Sequence, residues 1–170
     1  MKIAIVWSHS TWKSSLLEAS DLWLPKIQEV ARDVMWIMGK KPQDMNQQEL
    51  LEFQQMIYDV QIGKEDLNAS FISDRGVYDN LAYAKVVSEE LFLNLFAKTA
   101  KHHKGYDHIF YLPIEFKIVD DWIRFTDTKF QKQIDKSILE IMNALWVEYT
   151  TITWSIQERV SKIKKHLDIK

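Results

Sequence analysis

The sequence contains no cysteine, only four glycines and almost no net charge. Without cysteine there is no disulfide, thiolate metal site or cysteine nucleophile, and we expect a reducing, cytoplasmic setting. The 22 basic residues nearly balance the 24 acidic ones, which argues against nucleic-acid binding and against a polybasic membrane anchor. No apolar run approaches the roughly 18 residues of a membrane span. Because no linker or repeat divides the chain, we expect residues 1–170 to form a single domain.

The shortage of glycine is matched by an excess of tryptophan. Glycine averages about 7% of residues, which would be roughly 12 in a chain of this length. The chain has four glycines and seven tryptophans instead. Tight turns need residues that readily adopt positive φ, and glycine is the residue that does so without strain. The two departures suggest that tryptophan occupies positions where the fold needs glycine.

Apolar periodicity predicts strands that alternate with helices along the whole chain. The predicted strands are 3–6, 69–74, 108–112 and 147–153. The predicted helices are 13–19, 46–60, 78–87, 88–101, 126–145 and 155–167, while the pattern does not determine the type of segment 27–32. Asn46 with Glu49, and Ser155 with Glu158, have the spacing of N-terminal caps. Alternation of this kind is typical of an α/β fold built on a parallel sheet.

A polar loop lies between the first predicted strand and the helix that follows it. Residues 7–14 read W-S-H-S-T-W-K-S, which matches the phosphate-binding pattern G-x-x-x-x-G-K-[ST] except that both glycines are tryptophan. In such a loop Lys13 would neutralise the β- and γ-phosphates, and the Ser14 hydroxyl would bind Mg²⁺. Backbone N–H groups of residues 10–15 would hold the phosphates at a helix N-terminus. The alternative is an ordinary helix start after a tryptophan-rich core strand.

Three later segments extend this pattern. The first is E-V-A-R at 29–32. The second is F-I-S-D-R at 71–75, together with D-N-L-A-Y-A at 79–84. The third lies before a long predicted helix and contains Asp121, Arg124 and Asp127. In their order and spacing these segments resemble the P-loop ATPase and kinase family that includes the ribosylnicotinamide-kinase domain of NadR-type proteins, the NadR-like AAA domain. The resemblance covers nearly the whole chain. It implies a P-loop NTPase fold, a three-layer α/β/α sandwich with a mostly parallel five-stranded sheet.

The resemblance also implies an activity and its cofactors. It indicates a protein that binds ATP with Mg²⁺ and transfers a phosphoryl group to a small molecule, namely a nucleoside, a nucleotide or a ribosylnicotinamide-like acceptor. The implied nucleotide-binding residues are Ser8, His9, Ser10, Thr11, Lys13, Ser14 and Ser15. The alternative is a regulatory or degenerate P-loop ATPase that binds a nucleotide or a partner without phosphoryl transfer.

The same resemblance assigns roles to polar residues elsewhere. The implied catalytic residues are Lys13, Asp74 and Arg124, the implied Mg²⁺ ligands are Ser14 and Asp74, and the implied acceptor-binding residues are Glu29, Arg32 and Arg75. A carboxylate at the end of a strand can hold Mg²⁺ through water or accept the proton of a hydroxyl. Arginine forks match phosphoryl oxygens. The structural alternatives are a helix N-cap for Asp74, a surface ion pair for Arg124 and an exposed helix face for Glu29 and Arg32.

The family pattern expects glycine at positions 7, 12, 122, 146 and 154, and this chain has tryptophan at all five. A bulky residue held at positive φ costs roughly 1–2 kcal/mol. The loop as written is therefore expected to bind ATP poorly. Two explanations are possible. In the first, the protein is a degenerate relative that has lost nucleotide binding. In the second, the cell inserts glycine at these positions, because one stop-type codon is translated as tryptophan in some genetic codes and as glycine in others. The repetition of one replacement at five positions favours the second.

Overall fold

The computed structural model describes residues 1–8, 16, 22–102, 105–114, 128–153 and 155–168. Five strands form one sheet, namely β1 (Lys2–Trp7), β2 (Lys26–Ile27), β3 (Phe71–Asp74), β4 (His108–Leu112) and β5 (Thr150–Thr151). Their spatial order is β2-β3-β1-β4-β5, and every neighbouring pair is parallel. The predicted α/β fold on a five-stranded parallel sheet is confirmed.

Within the described residues, six α-helices connect and flank the strands. They are α1 (Val30–Met38), α2 (Gln47–Asp66), α3 (Val77–Val87), α4 (Glu89–His102), α5 (Thr128–Ala144) and α6 (Ile156–His166), with a short 3₁₀ helix at Pro42–Asp44. The described helices include none that is long and apolar enough to cross a membrane. The last five predicted helices are confirmed within a few residues, and α2 continues beyond its predicted end. The helix predicted at 13–19 lies outside the described residues except for Leu16.

Two segments differ from their predictions. The undetermined segment 27–32 divides between the end of β2 and the start of α1. The strand predicted at 147–153 is wrong in its length, because only Thr150 and Thr151 pair with β4. Val147 does not extend this strand because its N–H group bonds to the carbonyl of Met142 at the end of α5.

Both predicted helix caps are present. The Asn46 side chain accepts a hydrogen bond from the backbone N–H of Glu49, whose carboxylate accepts one from the backbone N–H of Asn46. Ser155 and Glu158 form the same reciprocal pair at the start of α6. Each box satisfies two N–H groups that have no partner within the helix, and so fixes where α2 and α6 begin.

The side chains of β1 alternate between the two faces of the sheet and build a core on each. Ile3, Ile5 and Trp7 are fully buried in a cluster that includes Ile163 of α6. Ala4 and Val6 are buried on the opposite face in a cluster with residues of α3, α4 and α5. The sheet therefore lies between two helical layers, as the predicted α/β/α sandwich requires.

Trp146 occupies a position that favours glycine. The N–H of Val147 bonds to the Met142 carbonyl and that of Trp146 to the Asn143 carbonyl, which is the Schellman arrangement at a helix C-terminus. In this arrangement the first residue beyond the helix end adopts a left-handed backbone conformation. That residue is Trp146, whose φ is 55°. Its side chain is almost wholly exposed, so the indole contributes no burial to offset the strain.

We expect Trp146→Gly to raise the free energy of unfolding by about 0.5–1 kcal/mol, the relief of left-handed strain less the added freedom of the unfolded chain. Urea unfolding followed by circular dichroism measures this. The matched control is Trp36→Gly, since Trp36 is also exposed but lies inside α1. There glycine should lower stability by about 0.5–1 kcal/mol. Equal losses in both variants would contradict the assignment of position 146.

Candidate active site

The carboxyl ends of β1 and β3 lie side by side at one edge of the sheet. Ile5 of β1 pairs with Asp74, the last residue of β3, and Ser8 follows directly after β1. Ligands of open parallel sheets bind at this edge, near the point where neighbouring strands lead in different directions. The structure therefore brings Asp74 beside the strand that leads into the predicted phosphate loop. The predicted residues His9, Ser10, Thr11, Lys13, Ser14, Ser15 and Arg124 lie outside the described residues and stay predictions.

Arg75 has an uncommon backbone conformation directly after β3. Its φ is 81°, and its N–H group donates a hydrogen bond of 3.0 Å to the Ile5 carbonyl. A non-glycine residue with positive φ carries strain, and such strain concentrates at functional sites. This conformation places the guanidinium over the rings of Tyr83 and Trp7, at 5.3 and 6.0 Å from their centroids.

The Arg75 guanidinium is buried and surrounded by carboxylates. Its side chain is 9% exposed, its Nε lies 2.9 Å from Glu29 Oε1, and its Nη1 lies 3.9 Å from Asp79 Oδ1. Burial opposes the charged form, yet the neighbouring groups outweigh it and raise the pKa of Arg75 above its usual value. These groups are, in decreasing order, Tyr83, Glu29, Asp79 and Asp74. Arg75 is therefore a fixed, permanently charged group.

Glu29 contacts both of the other predicted acceptor-binding residues, Arg32 and Arg75, so that the three form one cluster. It stands at the N-cap of α1 and accepts hydrogen bonds from Arg75 on one oxygen and from Arg32, at 3.2 Å, on the other. The Glu29 side chain is only 15% exposed, whereas that of Arg32 is 46% exposed. The exposed-face alternative therefore does not hold for Glu29, and Arg32 lies at the outer side of the cluster.

Asp79 is a site residue that the sequence analysis did not single out. Its side chain is fully buried in the first turn of α3. One carboxylate oxygen accepts the N–H of Trp7 at 3.0 Å, and the other accepts the N–H of Gly76 at 2.8 Å. Asp79 thus connects the end of β1 to the turn that carries Arg75. Its spacing from Gly76 is that of a capping residue, which was the available signal.

A buried tyrosine, Tyr106, forms a hydrogen bond next to the turn 74–76 that carries Arg75. The Tyr106 hydroxyl accepts the N–H of Val77 at 2.8 Å and donates to Glu65 at 2.7 Å. Burial, followed by the charge of Glu65, raises the pKa of Tyr106 well above its usual value. A Cβ atom on Gly76 would stand only 2.8 Å from this hydroxyl, so the contact requires glycine there. The Asp74–Gly76 turn is therefore held from two sides.

Ser8, predicted to bind nucleotide, is buried near Asp135 of α5, and its hydroxyl has no hydrogen-bond partner among the described residues. Burial raises the pKa of Asp135, and the hydroxyl groups of Tyr111 and Ser8 lower it in part. The Tyr111 hydroxyl lies 2.8 Å from Asp135 Oδ1. Asp135, which the sequence analysis also missed, connects α5 to β4 through this bond and lies near Ser8.

A cavity of about 420 Å³ opens beside the Glu29–Arg75 pair, between α1, α2, α3 and α5. Phe53, Tyr83 and Phe130 supply aromatic walls, and aliphatic side chains of α2 and α3 complete them. The carboxamides of Gln54 and Asn80 also line it. This volume falls in the range of small-molecule sites, which are mostly apolar with a few placed polar groups. Glu29 lines the cavity, whereas Asp74 is not among the lining residues.

The chemistry of Asp74 fits the predicted Mg²⁺. Its carboxylate is largely buried, and carboxylate oxygens are preferred ligands of this ion. The described residues hold no group of three or more His, Asp or Glu side chains able to bind a metal by themselves.

The chain is thus an α/β domain in which Glu29, Arg75 and Asp79 form a cluster at the carboxyl edge of the sheet. A cavity of small-molecule size lies beside this cluster. The neighbouring strand β1 leads into the sequence that resembles a phosphate loop. The chain belongs to the AAA domain family, whose model matches residues 2–159. No curated protein matches the chain.

Solved structures share the fold across the whole chain at low sequence identity. The NadR protein in complex with NR superposes with a TM-score of 0.76 at 15% identity, over 99% of this chain and 52% of that one. Deoxyadenosine kinase from M. mycoides has a TM-score of 0.71 at 12% identity, covering 99% of both chains. Thymidylate kinase from Candida albicans has a TM-score of 0.69 at 15% identity, over 98% and 90%. The chain spans about half the length of NadR, and it shares its fold with these three proteins.

Proposed function

We propose that the chain is an ATP-dependent small-molecule kinase. It would transfer the γ-phosphoryl group of ATP to a hydroxyl of a nucleoside, a nucleotide or a ribosylnicotinamide-like acceptor. The observation that carries this proposal is the Glu29–Arg75 pair, which lines the cavity while the backbone N–H of Arg75 is bonded to the Ile5 carbonyl of β1. An acceptor in the cavity would lie next to the end of the strand that precedes the predicted phosphate loop. The similarity to solved kinases supports the same class.

The residues of this chain would divide the work between two ends of the site. Lys13 and the loop N–H groups would neutralise the phosphates, and Arg124 would close over them. Mg²⁺, held by Ser14 and Asp74, would supply charge neutralisation between the phosphates. In the cavity Arg75 would hold Glu29 in place by their hydrogen bond. Catalysis would then be positioning together with charge stabilisation.

Glu29 is the carboxylate that would accept the proton of the acceptor hydroxyl. The sequence analysis left two roles open for Asp74, Mg²⁺ ligand or proton acceptor, but Glu29 lines the cavity and Asp74 does not. Glu29 would take the proton as the acceptor oxygen bonds to the γ-phosphorus and the bond to ADP breaks. The proton would then pass to water when product leaves. Asp74 is left with the metal-binding role.

The test is phosphoryl transfer from ATP across a panel of nucleosides, nucleoside monophosphates and ribosylnicotinamide. It is measured on the chain as written, on Trp12→Gly and on Trp7→Gly/Trp12→Gly. We expect transfer in a glycine form, because an indole in the loop competes with phosphate for space.

Lys13→Ala in the active background should reduce the rate at least about a hundredfold, in line with the loss of a charge placed on the transferring group. The matched control is Lys136→Ala, an exposed lysine of α5, which should leave the rate unchanged. If Lys13→Ala keeps full activity, or if no folded form transfers phosphate to any acceptor, the proposed function is wrong.

A further inference from the structure

The cavity contains buried polar groups that the proposed phosphoryl transfer does not use. Asn80 is 6% exposed, and among the described residues its Nδ2 has no hydrogen-bond partner. Gln54 is 7% exposed and lines the same cavity from α2. A buried amide left unbonded costs about 1–3 kcal/mol, so an unbonded group that faces a cavity indicates a ligand that completes it. Carboxamides both donate and accept, as does the edge of a heterocyclic base.

The walls around these carboxamides suit a flat ring. Phe53, Tyr83 and Phe130 line the cavity, and the Tyr83 and Phe130 rings contact each other edge to face at 6.1 Å between centroids. Aromatic side chains offer faces on which bases stack, irrespective of which base is present. The cavity therefore combines stacking surfaces with hydrogen-bonding groups at its edge.

The charges of the cavity do not suit a phosphate group. Among the described residues, three charged side chains line it, Glu29, Arg32 and Arg75. Glu29 pairs with both arginines, and Arg75 has Asp79 as a second carboxylate. Arg75 is thus already balanced by two carboxylates, whereas the more exposed Arg32 shares the single charge of Glu29. A phosphate would have to displace a carboxylate from a buried arginine and leave that carboxylate without its counter-charge, which is costly.

Resting on the proposed function, we infer that the acceptor is a nucleoside-type molecule without a phosphate group, whose ring is read by Gln54 and Asn80. Its sugar hydroxyl lies toward Glu29 and Arg75, and its ring lies among the aromatic walls. Nucleoside monophosphates are poor acceptors because Glu29 occupies the arginine that would bind their phosphate. Gln54 and Asn80 are specificity residues and take no part in the proton transfer.

The experiment measures binding by calorimetry and turnover with ATP for four nucleosides, ribosylnicotinamide and the corresponding 5′-monophosphates. At least one phosphate-free compound should bind about tenfold more tightly than its monophosphate. Gln54→Leu and Asn80→Ala should each weaken that binding about tenfold, the size of one lost hydrogen bond in a buried site. Gln48→Leu, an exposed residue of the same helix outside the cavity, should change nothing.

A second variant tests the charge argument in the opposite direction. Glu29→Gln leaves Arg75 with less negative charge nearby, so monophosphate binding should become several-fold tighter while turnover falls. Monophosphates that bind as tightly as nucleosides to the unaltered chain, or unchanged nucleoside binding in both Gln54→Leu and Asn80→Ala, would overturn the inference. The two proposals fail separately: turnover with monophosphates as the better acceptors defeats only the inference. Selective nucleoside binding without any turnover defeats only the proposed function.

Discussion

Asp79→Ala should lower the free energy of unfolding by about 3–5 kcal/mol, the typical loss when one partner of a buried charged network is removed. The Asp79 side chain is fully buried, and it accepts the N–H groups of Trp7 and Gly76. It is also a counter-charge to Arg75 at 3.9 Å. Alanine would leave two N–H groups without their acceptor and would weaken the balance of a buried guanidinium. Urea unfolding measures the loss.

Two further variants serve as comparisons for Asp79→Ala. Asp79→Asn keeps one acceptor oxygen and should lose less stability than alanine. Asp33→Ala removes an aspartate of α1 whose exposed side chain pairs with Lys64, and it should cost less than about 1 kcal/mol. A loss at Asp79→Ala no larger than the loss at Asp33→Ala would show that Asp79 does not hold the two segments together.

Trp7→Gly is also expected to cost about 3–5 kcal/mol or more. The Trp7 indole is fully buried against Leu112, Ile72 and their neighbours. Removing a buried aromatic side chain loses its transfer energy and leaves a cavity. Glycine adds backbone freedom to the unfolded chain. Trp7 lies in β1 and is not among the residues with positive φ, so no strain is relieved in return.

The matched control for Trp7→Gly is the same change at Trp23, whose side chain is 98% exposed. Trp23→Gly should change the free energy of unfolding by less than about 1 kcal/mol. If Trp7→Gly is as stable as the chain as written, the burial of the indole does not stabilise the fold, and glycine is tolerated at the end of β1.

Positions 7 and 146 show different surroundings for two of the five tryptophans that stand where the family pattern has glycine. At 146 the backbone is left-handed and the indole is exposed. At 7 the backbone is extended and the indole is part of the core. Positions 12, 122 and 154 lie outside the described residues. The intact mass of the protein from its native source distinguishes the two explanations, because glycine at all five positions would change the mass by hundreds of daltons.

The fold was largely predictable because its signals are local. Apolar periodicity gave β1, β3, β4 and the helices from α2 onward, and the capping boxes at Asn46 and Ser155 marked two helix starts. β2 was not predicted and β5 was predicted too long, because each has only two paired residues at an edge of the sheet. So short a segment has no periodicity to detect.

The candidate site was only partly predictable because its contacts are tertiary. Glu29 and Arg75 were both identified, but they lie 46 positions apart, and only the pairing of β2 with β3 brings them together. Asp79 and Asn80 belong to the segment 79–84 that carries the resemblance, and Asp79 has the spacing of a capping residue, but the sequence does not show that their side chains are buried. Their importance arises from burial against Trp7 and from the cavity, which no local pattern encodes.

The most direct measurement uses ATP labelled with ³³P in its γ-phosphate and determines which molecule carries the label after the reaction. The labelled ATP is incubated with Mg²⁺, with a panel of nucleosides that includes ribosylnicotinamide, and with the Trp12→Gly or the Trp7→Gly/Trp12→Gly protein. We predict that the label appears on an acceptor hydroxyl as a nucleoside monophosphate, and that Glu29→Gln reduces this product while the protein stays folded. Label found only in inorganic phosphate or only in ATP, with the acceptors unmodified, would contradict the assignment as a small-molecule kinase.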